Sequence, residues 1–193
     1  MFCRRLAILA VAVAVLAVPL FTGLLATNAL AQGTVQTQPI DPFGQEVVMP
    51  EKTIVYASGT AEWDTAYDTL TEAFKTIQAF LDKRGLKANG PAMTIYTAMD
   101  DTTFNFQAAV PVAEAPKGPP QDNVSSGRSP GGKALKFVHR GSFEGLTATY
   151  DAISHFVEEK QFSSKELLIE EYVTDFLSTP ADKLVINIFV PLN

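Results

Sequence analysis

Two stretches of this chain carry the same order of apolar and polar positions. The first runs from Thr53 to Val112 and the second from Lys133 to Leu192. Each opens on an apolar run that stops at glycine, TIVYASG at Gly59 and LKFVHRG at Gly141. Each continues with apolar residues at helical spacing. The first stripe is Trp63, Ala66, Tyr67, Leu70, Phe74, Ile77 and Leu81. The second is Leu146, Tyr150, Ile153 and Val157. A run centred on tyrosine follows, MTIYT at Tyr96 and IEEYV at Tyr172, and each stretch closes on a strand ending Val-Pro. The pattern predicts two β-α-β-β modules of about 60 residues each. The predicted fold is α+β: a mostly antiparallel sheet, helices on one face and a ligand groove on the other.

Alternation along the strands sorts side chains by face, because strand neighbours point to opposite sides. Phe104, Phe106, Ala108 and Val110 form an apolar set, as do Leu184, Ile186, Ile188 and Val190. These sets are expected under the helices. The intervening sets are mixed and carry Gln107 at one point and Asn187 with Phe189 at the other. Thr94 and Tyr96 share a face, as do Leu168, Glu170 and Tyr172. If the tyrosine faces align with the mixed faces, the groove gathers Tyr96, Gln107, Glu170, Tyr172, Asn187 and Phe189. Aromatic walls with a carboxylate and two amides suit a small molecule, including a cation stacked on the rings. Trp63, just after the first strand, either caps this groove or sits at the core edge. A slip of one residue would put Glu171 in place of Glu170.

The remaining segments set the domain plan. Arg4 and Arg5, the apolar run Leu6 to Ala26 and the Ala29-Leu30-Ala31 site read as a signal peptide over 1–31. The protein is then expected in the periplasm or secreted. It would touch a membrane only if that segment were kept as an anchor. Residues 32–50 read as a polar spacer before repeat one, 51–112. Residues 113–132, with four prolines and four glycines, read as an irregular linker, or a lid, before repeat two, 133–193.

Composition narrows the partners. Cleavage before Gln32 leaves 13 basic against 21 acidic residues, a net charge of −8. That argues against nucleic acid as a partner. The one cysteine, Cys3, lies in the signal segment, so no disulfide is expected. His139 and His155 have no suitably spaced partners, so no metal or other cofactor is expected. No nucleophile elbow, phosphate loop or zinc-protease motif occurs. A monomer is the expected state.

The strings FVHRGSF, GPAMTIYTAMDDTTFNFQAAVPV and LLIEEYVTD...STPADKLVINIFVPL resemble the GyrI-like small-molecule-binding domain. This is also the effector-binding half of AraC-type and MerR-type regulators. The resemblance covers Lys52 to Leu192 and implies tandem β-α-β-β modules around a U-shaped groove. It implies a groove acid at Glu170, two before Tyr172. Glu171, Asn187 where an acid is usual, and Thr94 in place of a second Glu depart from the pattern. No helix-turn-helix is visible, so direct DNA contact is not expected. The implied function is an exported small-molecule binder, a sensor or a sequestering module. A hydrolase using groove carboxylates is the alternative, and a tetrapyrrole binder of the SOUL type is a more distant one.

Overall fold

The structure is a computed structural model and describes residues 42–118, 120 and 122–193. The expected signal segment and most of the expected spacer lie outside them. Ten elements follow in chain order: β1 (Gln45–Met49), β2 (Thr53–Glu62), α1 (Ala66–Arg84), β3 (Met93–Met99), β4 (Thr103–Pro111), β5 (Ser125–Arg128), β6 (Gly132–Gly141), α2 (Leu146–Glu159), β7 (Leu168–Tyr172) and β8 (Leu184–Pro191). One sheet takes all eight strands, in the order β1-β6-β8-β7-β3-β4-β2-β5. Every neighbouring pair is antiparallel.

The strand-helix-strand-strand order occurs twice, in β2-α1-β3-β4 and β6-α2-β7-β8. The sheet order reads the same from both ends, with β7 against β3 at the centre. Local joints match as well. Asn89 N–H donates to Pro111 C=O at 2.7 Å, and Lys165 N–H to Pro191 C=O at 2.9 Å. Both helices end in a residue in the left-handed region, Gly85 (φ 63°) and Gln161 (φ 57°). Gly85 adopts this conformation freely; glutamine does so at some cost.

Both helices lie on one face. The α1 stripe buries Ala66, Leu70, Phe74, Ile77 and Leu81, and α2 buries Leu146 and Ile153. They share one core cluster with Phe104, Phe106 and Ala108 of β4 and Ile186, Ile188 and Val190 of β8. The uniformly apolar sets therefore do lie under the helices. A second, smaller cluster of Met49, Ile54, Met93, Ile95, Ala109, Ala134 and Ile169 forms on the other face.

Three boundaries differ from the sequence reading. The spacer's last residues pair as β1 with β6. The linker is not wholly irregular, because Ser125–Arg128 pairs as an edge strand with β2. Gly127 lies within this short edge strand, opposite Ile54, and the nearest prolines stay outside it. Finally, β2 does not stop at Gly59 but runs on to Glu62. Gly59 serves a packing need instead. A Cβ there would lie 2.8 Å from Cζ of Phe106, so glycine makes room for the tip of that ring against β2.

Candidate functional site

The register of the central strands decides where the chemistry goes. Across β3 and β7, Thr94 pairs with Glu170 and Tyr96 with Leu168. Across β7 and β8, Glu170 pairs with Ile188 and Tyr172 with Ile186. Tyr96 pairs with Phe106 of β4. Glu170, Tyr172 and Tyr96 therefore share the apolar, helix-bearing face. Gln107, Asn187 and Phe189 lie on the opposite face, beside Ile95, Glu171 and Ile169. The expected single set is thus divided between two faces, and the site around Glu170 lies between the helices rather than behind the sheet. A β-bulge explains part of the difference. Counted back from the hairpin pair Met99–Phe104, an unbroken ladder would set Tyr96 opposite Gln107. The extra residue at Thr97 sets it opposite Phe106.

Glu170 has no exposed surface. Three phenols hold its carboxylate. Tyr96 donates at 2.9 Å and Tyr172 at 2.7 Å, both to Oε2, while Tyr150 donates to Oε1. Tyr172 spends its proton on Glu170, so its oxygen accepts from Thr94 Oγ1 at 2.8 Å. Burial raises the pKa of all three phenols, and the charge of Glu170 raises it further. They stay protonated and remain donors. Burial likewise pushes the Glu170 carboxyl above its ordinary range, and the three phenol bonds pull it back only in part. A carboxylate offers about four acceptor positions. Three are filled, and one on Oε1 is left.

Above this carboxylate lies a cavity of about 660 Å³ between the N-terminal ends of the two helices. Its walls include Trp63, Tyr67, Tyr96, Phe143 and Tyr150, with Glu170 among the lining. The other charged residues lining it are Asp64, Asp101, Glu144 and Asp151, all acidic. The ring of Trp63 lies 4.4 Å from Phe104 and 6.0 Å from Tyr96, centre to centre. Its indole N–H donates to Asp100 C=O at 2.8 Å, which ties the wall to the β3–β4 hairpin. That hairpin is itself pinned. Asp100 accepts from Thr102 and Thr103 backbone and hydroxyl groups, and these bonds, the Thr102 N–H foremost, hold its carboxyl well below the usual range. Behind this wall Phe176 packs on Tyr67, Phe143 and Tyr172. Beyond it Tyr172 lines a separate cavity of about 300 Å³.

Of the residues predicted for the site, the structure brings together Glu170, Tyr96, Tyr172 and Trp63. Glu171 sits on the outer face, where Lys52 Nζ approaches to 2.6 Å and Asn187 Nδ2 donates at 3.2 Å. Tyr150, Tyr67 and Phe143, which line the cavity, were not foreseen as site residues. Tyr150 lay in the α2 stripe and read as core; the phenol on an otherwise aliphatic stripe was the signal. His139 uses both ring nitrogens. Nε2–H donates to Ser142 C=O at 2.9 Å, and Nδ1 bonds Thr149 Oγ1 at 2.8 Å. His155 is exposed beside Glu159. Among the described residues, no group of three or more His, Cys, Asp or Glu side chains could hold a metal ion.

An antiparallel sheet with two helices framing an aromatic, acid-floored cavity defines a small-molecule-binding domain. Residues 45–193 match the GyrI-like small molecule binding domain, and the chain belongs to that family. No curated protein sequence matches it significantly. Among solved structures it is similar to EcmrR. It matches EcmrR in a complex with DNA at TM-score 0.67 and 15% identity, over 78% of this chain and 57% of that one. The chain thus spans little more than half of that EcmrR chain. The C-terminal domain of EcmrR alone matches at TM-score 0.65 and 16% identity, over 78% and 98% of the two chains. SAV2435 bound to tetraphenylphosphonium matches at TM-score 0.56 and 14% identity, over 78% and 93%. These likenesses establish the fold.

Proposed function

We propose that this protein binds small apolar organic cations in the cavity between its helices. The carrying observation is Glu170, fully buried at the floor of a cavity whose walls are aromatic and whose other charged groups are all acidic. A desolvated anion under aromatic faces favours a cation with apolar flanks. The tetraphenylphosphonium bound by SAV2435 has that chemistry.

Trp63 is the single tryptophan and lines the cavity, so its fluorescence reports occupancy. The test is titration with tetraphenylphosphonium and with neutral triphenylphosphine oxide. A charge-assisted contact is typically about 1.5–3 kcal/mol, so Glu170→Gln should weaken the cation roughly ten- to a hundredfold. The neutral compound should change less than about twofold. Equal loss for both, or loss for neither, would refute the reading.

We also infer that the protein acts outside the cytoplasm as a sensor or sequestering module, and that its two modules arose by duplication. Arg4, Arg5, the apolar run and Ala29-Leu30-Ala31 support export. N-terminal sequencing of exported protein should begin at Gln32. A full-length, membrane-held product would overturn this.

A further inference from the structure

The sheet has a second cavity, on the face away from the helices. It holds about 240 Å³ and lies where β1, β3, β6, β7 and β8 meet the turn at Ser129 and Pro130. Its apolar lining includes Met49, Met93, Ile169 and Phe189. Met93 and Ile169 are buried, and Phe189 packs against their cluster. The polar lining is Lys52, Ser129, Lys136, Glu171 and Asn187.

The charges here are arranged differently from those between the helices. The one carboxylate, Glu171, is already satisfied by Lys52 on Oε2 and by Asn187 on Oε1. The second lysine, Lys136, makes no ion pair with a described residue. It stands directly across from Phe189, which stands across from Ile169. A cation therefore borders a row of apolar side chains. Ser129 is 5% exposed and its oxygen accepts the Lys52 N–H at 2.9 Å. Its hydroxyl proton has no acceptor among the described residues. The net charge of the lining is positive, and the side-chain donor groups that make no bond of their own to a described residue are the Lys136 ammonium and the Ser129 hydroxyl. Both suit an anion, and the apolar row beside them suits a hydrocarbon tail.

We propose that this outer cavity is a second ligand site, which takes a small aliphatic carboxylate. The carboxylate accepts from Lys136 and Ser129, and the chain lies along Phe189, Ile169 and Met93. Its charge preference is opposite to that of the cavity between the helices.

Calorimetric titration of the whole chain with octanoate tests this, with uncharged octanamide as the control. Octanoate should bind with a Kd at or below about 1 mM, and octanamide at least about tenfold more weakly. Lys136→Met keeps most of the stem but removes the charge and should cost about tenfold or more for octanoate. Ser129→Ala should cost several-fold. Ile169→Trp should abolish binding by filling the cavity. Thermal unfolding checks that each variant is folded. Octanoate should bind equally well with the other cavity saturated by tetraphenylphosphonium. No octanoate binding to the parent protein, displacement of octanoate by tetraphenylphosphonium, or affinity unchanged in both Lys136→Met and Ser129→Ala would overturn the proposal. The octanoate titrations do not depend on whether the cation binds, so the two readings fail separately.

Discussion

Glu170 and Glu171 are neighbours in sequence and occupy opposite worlds. One points between the helices, has no exposed surface and is held only by neutral phenols. The other points outward, keeps some contact with water and is matched by a lysine. The pleat alone separates them, since adjacent strand residues face opposite sides. What differs is the cover. The helices lay aromatic residues over Glu170 but no basic side chain, and His139 of β6 acts on it only through its field, without a bond, so burial still outweighs what opposes it. Glu171 meets Lys52 across the open face and is neutralised in place. An acid becomes a candidate for ligand recognition when the fold buries it and withholds a cation. An acid with a built-in partner is part of the scaffold.

The largest test of this contrast is packing. Phe137 is fully buried on the helix face, edge-on to Phe43 and Phe156. Phe189 is only partly buried on the outer face. Phe137→Ala should cost about 3–5 kcal/mol, as deep aromatic truncations do. Phe189→Ala should cost about 1–2 kcal/mol, in proportion to the smaller area it removes from water. Urea denaturation with constant m-values measures both. Equal costs would mean that the outer cluster is a second core of full weight.

The next test compares what holds each acid. Tyr150→Phe removes the donor on Oε1 of Glu170 and should cost about 1–3 kcal/mol, the penalty for a buried polar group left short of a partner. Lys52→Met removes a partly buried ion pair whose two ends still touch water and should cost about 1 kcal/mol. Salt separates them further. The Lys52 effect should shrink in 1 M salt, where the Debye length is about 3 Å. The Tyr150 effect should not, because its phenol is neutral and forms a buried hydrogen bond rather than an ion pair. A salt-sensitive Tyr150→Phe would show that Glu170 is open to solvent.

Much of this was legible in the sequence, and the failures have local causes. The helical stripes, the order of elements and the apolar faces of β4 and β8 followed from period alone. Glu170, Tyr172 and Tyr96 were grouped together, and hydrogen bonds do join them. Their face was not foreseen, because alternation gives only relative sides within a strand. The bulge at Thr97 then breaks the count between β3 and β4. Gln107, Asn187 and Phe189 were joined to the wrong acid for the same reason. Pairing β7 with β8 would have shown Glu170 in line with Ile188 and therefore under the helices. The helix side of the site was harder to see. Tyr150 and Phe143 look like core residues until the partner helix leaves a gap beside them. Ser125–Arg128 was missed because a four-residue edge strand without apolar residues carries no periodic signal.

The smallest effect expected is the pH dependence of Glu170, and its sign is the sharpest test. Burial raises its pKa in the folded protein above the ordinary 4.5. The folded state therefore binds this proton more tightly than the unfolded chain does. By linkage the group's stabilising contribution is complete below about pH 4.5 and declines as the pH rises through the folded value. Other carboxylates titrate in the same range, so the measured quantity is the difference in unfolding free energy between wild type and Glu170→Gln. That difference should fall with rising pH across this window and level off above it. Cation affinity should run the other way in the same window, because only the ionised carboxylate attracts the ligand. Tetraphenylphosphonium binding to wild type should strengthen as the pH rises, while binding to Glu170→Gln should stay flat. Glu171→Gln should retain both wild-type slopes. Parallel slopes for stability and affinity would mean that another group titrates, and the contrast between the two acids would lose its electrostatic basis.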